Sequence, residues 1–280
     1  MVDVSIYTTL KVDCHCHVLD PSSFAYAGDV AYRPAGQETG SADYFLQVLD
    51  AYGVRHALLV GPNSGYGTDN RCLIDAIARS HGRFKGIAVV ANDAPASQLQ
   101  ELKAQGIVGV AFNFALHGVD HYRQIPPLLG RLAEAGMFVQ VQVHGDQMQH
   151  LAAQLADSGA DVLIDHCGRP DPVQGIGAAG FSALLGLADT GRATVKLSGF
   201  SKFSAQPFPF ADTDAFTREL LTAFGPDHCV WASDWPFLKA PQRLDYGPLL
   251  QLFATAVPNP QDRLKILWDT PMRVFGFAKA

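Results

Sequence analysis

Between residues 11 and 232 the chain alternates two patterns. Short apolar, β-branched runs read as strands, and longer stretches with apolar residues every three or four positions read as amphipathic helices. The runs predict strands over Val12–His17, Ala57–Val60, Gly86–Val90, Gly109–Phe114, Phe138–Val143, Val162–Ile164, Thr194–Leu197 and Cys229–Ala232. Helices are predicted over Ser41–Tyr52, Thr68–Ser80, Ala96–Gln105, Tyr122–Ala135, Gln147–Ser158, Phe181–Asp189 and Asp214–Phe224, with two more at Gly247–Ala256 and Gln261–Trp268. Glycine follows several helical runs, in "AYGV", "SHGR", "AQGI", "EAGM" and "DSGA", where a left-handed residue ends a helix at little cost.

Eight strands, each followed by a helix, in a chain of 280 residues predict an α/β fold, a (β/α)8 TIM barrel formed by residues 1–280 as a single domain. An open doubly wound sheet would carry a Gly-rich phosphate turn after its first strand. Here that strand ends in HCH. Active sites of such barrels lie at the C-terminal ends of the strands, so those ends are where chemistry is expected.

Composition narrows the function. Hydrophobic residues make up 48% and charged residues 17% of the chain, the balance of a globular protein with a large core. A net charge of −6 argues against nucleic acid or an anionic membrane as partner. No apolar run approaches the roughly 18 to 20 residues that cross a bilayer. "MVDVSIYTTLK" has no basic start followed by an apolar core, so no secretory signal is read there. The five cysteines are odd in number and lack zinc-finger or CxxC spacing. The expectation is a cytoplasmic protein with reduced thiols that acts on a small molecule.

The candidate chemistry begins in "KVDCHCHVLDP". On a strand, side chains alternate between faces, so Asp13, His15 and His17 are expected to share the face toward the barrel mouth. Cys14 and Cys16 are expected to point outward, buried between strands and helices. Other strand ends add Ser64 and Tyr66 after strand 2, Gln140, Gln142 and His144 alternating along strand 5, Asp165, His166 and Arg169 after strand 6, Lys196, Ser198 and Lys202 at strand 7, and Asp234 after strand 8. A single histidine is more often structural than catalytic. Four histidines and a carboxylate gathered at strand ends make a site the stronger reading.

In order along the chain stand DxHxH, "YGTDNR", "FNF", "IDHCGRPD", "VKLSG" and "SDWP", and "ILWDTPMRVFGF" closes it. Together they resemble the amidohydrolase superfamily, in the branch of 2-pyrone-4,6-dicarboxylate lactonase and related sugar lactonases, over about residues 11 to 277. The resemblance implies hydrolysis of a lactone with Asp234 as general base. It places the family's histidines on His15, His17 and His166, its arginine on Arg169, a serine on Ser64 and a basic residue on Lys202. There are departures. Ala111 stands where the family has an arginine, His117 falls near a second arginine position, and Gln142 replaces an aromatic or histidine. Paired hydrogen bonds from those arginines would clamp carboxylates, so the pyrone dicarboxylate is not expected to be the substrate.

The residues themselves allow Asp234 to take a proton from water, and His15, His17 and His166 to polarise a carbonyl and hold an oxyanion. Ser64, Tyr66, Gln142, His144, Arg169 and Lys202 are candidate substrate contacts. Arg169 has Asp171 as an alternative partner, and Asp165 either orients a histidine or simply ends its strand. His15, His17 and Asp234 would suit one divalent metal such as Zn2+, with His144 or His166 as a further ligand. A two-metal site is not expected, because strand 4 ends in Phe112, Asn113 and Phe114 with no bridging residue. The lactonase branch implies no metal, and no cofactor is the favoured reading. A lactone isomerase, a metal-dependent decarboxylase and a non-catalytic binding barrel are the alternatives.

Overall fold

Eight parallel strands hydrogen-bond in sequential order: β1 (Lys11–Cys16), β2 (Val54–Val60), β3 (Phe84–Ala88), β4 (Ile107–Asn113), β5 (Phe138–Gln142), β6 (Val162–Ile164), β7 (Ala193–Leu197) and β8 (Cys229–Trp231). This is the expected TIM barrel, seen in a computed structural model that describes residues 3–278. Residues 1–2 and 279–280 of the expected domain lie outside the described residues. No helix among the described residues is long and apolar enough to cross a membrane.

Two apolar layers follow from the two-residue period of the strands. Outward residues such as Leu59, Phe112, Val141, Ile164, Leu197 and Trp231 meet helical Phe45, Leu73, Leu128, Phe181, Leu220 and Phe253 in one continuous core. Inward residues Val12, Cys14, Leu58, Ile87, Leu163 and Val230 form a second cluster, plugged from below by Met272, Phe275 and Phe277 of the closing segment. Each fully buried Leu or Phe in these layers contributes about 1.5–3 kcal/mol. Toward the strand C-termini polar side chains such as Asp165, His15 and Asp234 gather in the interior.

Helix ends differ from the sequence expectation where proline intervenes. The stretch predicted as Tyr122–Ala135 splits into a 3-10 turn, Asp120–Tyr122, and an α-helix, Pro126–Ala135. Proline suits the first helical turn, where its missing N–H costs nothing. The last predicted helix continues through a π turn, Lys265–Asp269, into Thr270–Phe275. Pro271 has no N–H for the regular ladder, and a wider turn just before it absorbs that gap.

The first strand corrects the expected faces. Asp13 pairs with Ala57 and Cys16 with Leu59, so β1 holds one more residue than β2 over this interval. Such a bulge shifts the phase of the side chains. Cys14 therefore joins the barrel interior, and only Cys16 lies in the outer core. Asp13 turns away from the histidines, toward Ser233 and Tyr246. His15 and His17 do point into the mouth, beside Asp234. All five cysteines are free and buried.

Candidate active site

The site forms on the seam where the barrel closes. The Asp234 amide donates to the His15 carbonyl and the His17 amide to the Trp235 carbonyl, both at 2.8 Å. Asp13 crosses the same seam, accepting from the Ser233 amide at 2.9 Å, from the Ser233 hydroxyl, and from Tyr246 Oη at 2.8 Å. Backbone pairing at the seam thus brings residues of opposite chain ends together. Asp234 Oδ1 lies 3.9 Å from His15 Nε2, 3.7 Å from His17 Nε2 and 3.5 Å from His166 Nε2. These are too long for strong direct hydrogen bonds. Asp234 Oδ2 is held by Lys202 Nζ at 2.9 Å, and the same ammonium donates to the Leu238 carbonyl at 2.7 Å.

The loop after β6 delivers His166 and Arg169. His166, Cys167, Gly168 and Arg169 are four successive residues with positive φ, a strained run for side chains other than glycine. Gly199 makes room for the imidazole, since a Cβ there would stand 2.5 Å from the His166 ring. His166 Nδ1 meets Ser198 Oγ at 3.1 Å.

Beneath His15 lies a polar network that the sequence reading did not assemble. His15 Nδ1 is 3.1 Å from Asp165 Oδ1 and 3.2 Å from Lys196 Nζ. Lys196 is fully buried, pairs with Asp165 Oδ1 at 2.9 Å and donates to Gln140 Oε1 at 2.6 Å. Gln140 Nε2 donates to Asp165 Oδ2 at 3.0 Å. Asp165 therefore touches a site histidine rather than merely ending β6.

Above the four converging groups opens a cavity of about 440 Å³. Of the expected residues, His17, His166, Asp234, Ser64, Gln142, Arg169 and Lys202 line it. His15 lies just below, 2% exposed. Tyr66 is not in the lining: it is buried beside Tyr26, and its hydroxyl accepts from the Asp20 amide. His144 is exposed and caps the turn Gly145–His150, also outside the lining. Neither side chain lines this cavity, unlike what the sequence suggests for both. Asp171 is engaged by the Val173 amide and Gln174, not by Arg169, whose Nε is buried without a partner among the described residues. Ala111, Ala115 and Leu116 line the β4 side of the cavity.

Burial and charge set the protonation states. Burial pushes His15 down to about 4 and His166 to about 3, with Asp165 and Asp234 opposing the shift. Both imidazoles are neutral at pH 7. Burial alone would raise Asp234, but Lys202 and the facing histidines outweigh it and hold the carboxyl well below its usual range. The acid limb of kcat/KM, which reports the free enzyme, should then fall near about 4 as His15 takes up a proton. A pH profile with its acid limb near about 6.5, the ordinary imidazole value, would contradict neutral donors.

The family model described as Amidohydrolase matches residues 12–277. The chain belongs to the amidohydrolase family. This amidohydrolase is 32% identical over 271 residues to a 4-sulfomuconolactone hydrolase of Rhizobium radiobacter, covering 94% of the chain and 89% of the relative. It is 27% identical to a 2-pyrone-4,6-dicarboxylate hydrolase of Comamonas testosteroni, covering 94% and 89%. A solved structure from Acinetobacter baumannii, a probable 2-pyrone-4,6-dicarboxylic acid hydrolase with citric acid bound, superposes with a TM-score of 0.85 at 29% identity, covering 95% of this chain and 99% of that one.

A metal is possible in this amidohydrolase by spacing. One donor atom from each of His15, His17 and Asp234 lies within 4.8 Å of the others. His17 Nδ1 is 2.8 Å from the Val60 carbonyl, an acceptor only, so Nδ1 carries the proton and Nε2 presents a lone pair to the site. The charges beside the other two donors are less suited to a cation: one ammonium rests on Asp234 and another on His15 Nδ1.

Proposed function

We propose that this amidohydrolase hydrolyses a small lactone bearing an acidic group, with Asp234 as the base that takes the proton from the attacking water. The observation that carries the reading is the carboxylate of Asp234, anchored on one oxygen by Lys202 and faced on the other by three imidazoles. The lactone hydrolases among its relatives support the reaction class. Water oxygen bonds to the ring carbonyl carbon as its proton passes to Asp234. In this reading neutral His15 and His166 donate to the oxyanion, a role worth about 3–4 kcal/mol per well-aimed donor. The tetrahedral carbon then releases the ring oxygen, which takes the proton from Asp234. The new acid ionises, so one proton appears in solution per turnover.

This reaction needs no metal. A dication on His15, His17 and Asp234 would stand beside the ammonium of Lys202, which already balances the carboxylate. We therefore read the site as working through its own charges and derive no step through an ion.

Arg169 is the seat proposed for the acidic group. It lines the cavity, and its buried Nε has no partner among the described residues. A charge-assisted pair of this kind contributes roughly 1.5–3 kcal/mol. Arg169→Met should lower kcat/KM for acidic lactones about 10- to 100-fold and leave neutral lactones nearly unaffected. A second acid group directed at Ala111, Ala115 and Leu116 would meet apolar side chains there, so the pyrone dicarboxylate should be a poor substrate. Proton release from a lactone panel, with and without a chelator, measures both. Oxygen-18 from labelled water should enter the product acid. Its absence from an opened and reclosed ring would instead mark internal transfer to a substrate hydroxyl.

A further inference from the structure

Lys196 offers three protons in a fully buried pocket and has three acceptors there: Gln140 Oε1 at 2.6 Å, Asp165 Oδ1 at 2.9 Å and His15 Nδ1 at 3.2 Å. Asp165 Oδ2 is separately satisfied by Gln140 Nε2. The count closes only if His15 Nδ1 accepts. If Nδ1 instead carried the proton and gave it to Asp165, the third ammonium proton would have no acceptor among the described residues. An unsatisfied buried charged donor is costly. On the opposite edge of the ring Nε2 faces Asp234 Oδ1 at 3.9 Å.

We propose that Lys196 is a positioning residue that fixes His15 as the Nε2–H tautomer, making it a hydrogen-bond donor to the reaction centre instead of a metal ligand. A histidine whose Nδ1–H is held by a carboxylate has its Nε2 lone pair aimed outward and binds metal well. Here the carboxylate is present in Asp165, but the lysine occupies the proton's place. His15 and His17 thereby differ despite their HxH spacing: His17 offers a lone pair, His15 a proton. The consequence for turnover rests on the lactone reading of the site. The tautomer itself does not, because it is measured without substrate.

The experiment is a long-range proton–nitrogen correlation spectrum of the full chain labelled with 15N-histidine at pH 7, with His15 assigned through loss of its signals in His15→Gln. Wild type should show Nε2 protonated and Nδ1 bare. Lys196→Met should invert this, binding zinc roughly 10- to 100-fold more tightly by calorimetry and losing kcat more than KM. Asp165→Asn serves as the second variant, and there the lysine should keep His15 in the Nε2–H form. A wild-type spectrum with Nδ1 protonated overturns the proposal whether or not Lys196→Met folds. So does an Asp165→Asn spectrum that switches tautomer. A correct tautomer with no lactone turnover would sink the functional reading alone.

Discussion

Asp234→Asn should reduce turnover by on the order of 10³-fold, within the range that a positioned general base supplies. An amide keeps the shape and the acceptor oxygen but cannot take a proton from water. The backbone should tolerate the change, because Asp234 has φ of 62° and asparagine enters the left-handed region readily. Lys202 would lose its carboxylate but keep the Leu238 carbonyl, so we expect a stability loss of about 1–3 kcal/mol without unfolding. Substrate should still bind, since Arg169, Ser64 and Gln142 line the cavity apart from the carboxylate. Initial rates on an acidic lactone, beside circular dichroism of the same preparation, test this. A folded variant with more than about a tenth of the wild-type rate would exclude Asp234 as the base and leave His17, with its Nε2 lone pair, as the next candidate.

The barrel was legible because its signal is repetitive. Strands Phe138–Gln142 and Val162–Ile164 stand almost where the apolar runs place them. The site was legible where polar residues end apolar strands, as Asp234, His166 and Arg169 do. It was less legible inside strands. The inward parity of β5 and β7 carries Gln140 and Lys196 directly beneath His15, and the signal was there in the two-residue period. Nothing in the sequence says that these residues on different strands meet at one height, because that depends on the stagger of the closed barrel. The bulge in β1 defeated strict alternation for a related reason. It has no glycine marker at Asp13–Cys16 and is visible only as a count of residues against the neighbouring strand. Tyr66 and His144 sit near strand ends in sequence, yet local packing and helix capping take them out of the cavity.

That bulge changes what Asp13 is for, and Asp13→Ala should expose the difference. On simple alternation Asp13 would be a third active-site group, and its loss would affect rate first. In the barrel it faces the seam, fully buried, holding the Ser233 amide and hydroxyl and Tyr246 Oη. Removing the carboxylate leaves these donors without an acceptor at about 1–3 kcal/mol each, for a combined loss of roughly 3–5 kcal/mol. For a chain of this size that lowers Tm by about 10 °C. The loss should also depend on pH. Burial raises Asp13 to about 6, against the lowering by Ser233 and Tyr246. Between its ordinary value and about 6 the folded state therefore binds the proton more tightly than the unfolded chain, so the stabilisation from Asp13 declines as pH rises through that window. The stability gap between wild type and Asp13→Ala should be wider near about pH 5 than at about pH 7. Asp13→Asn, neutral and still able to accept from the Ser233 amide, should recover part of the loss at the higher pH. Thermal melts of the three proteins at both pH values decide the matter. If Asp13→Ala melts within about 2 °C of wild type while turnover disappears, the carboxylate belongs to the chemistry, and the seam does not depend on it.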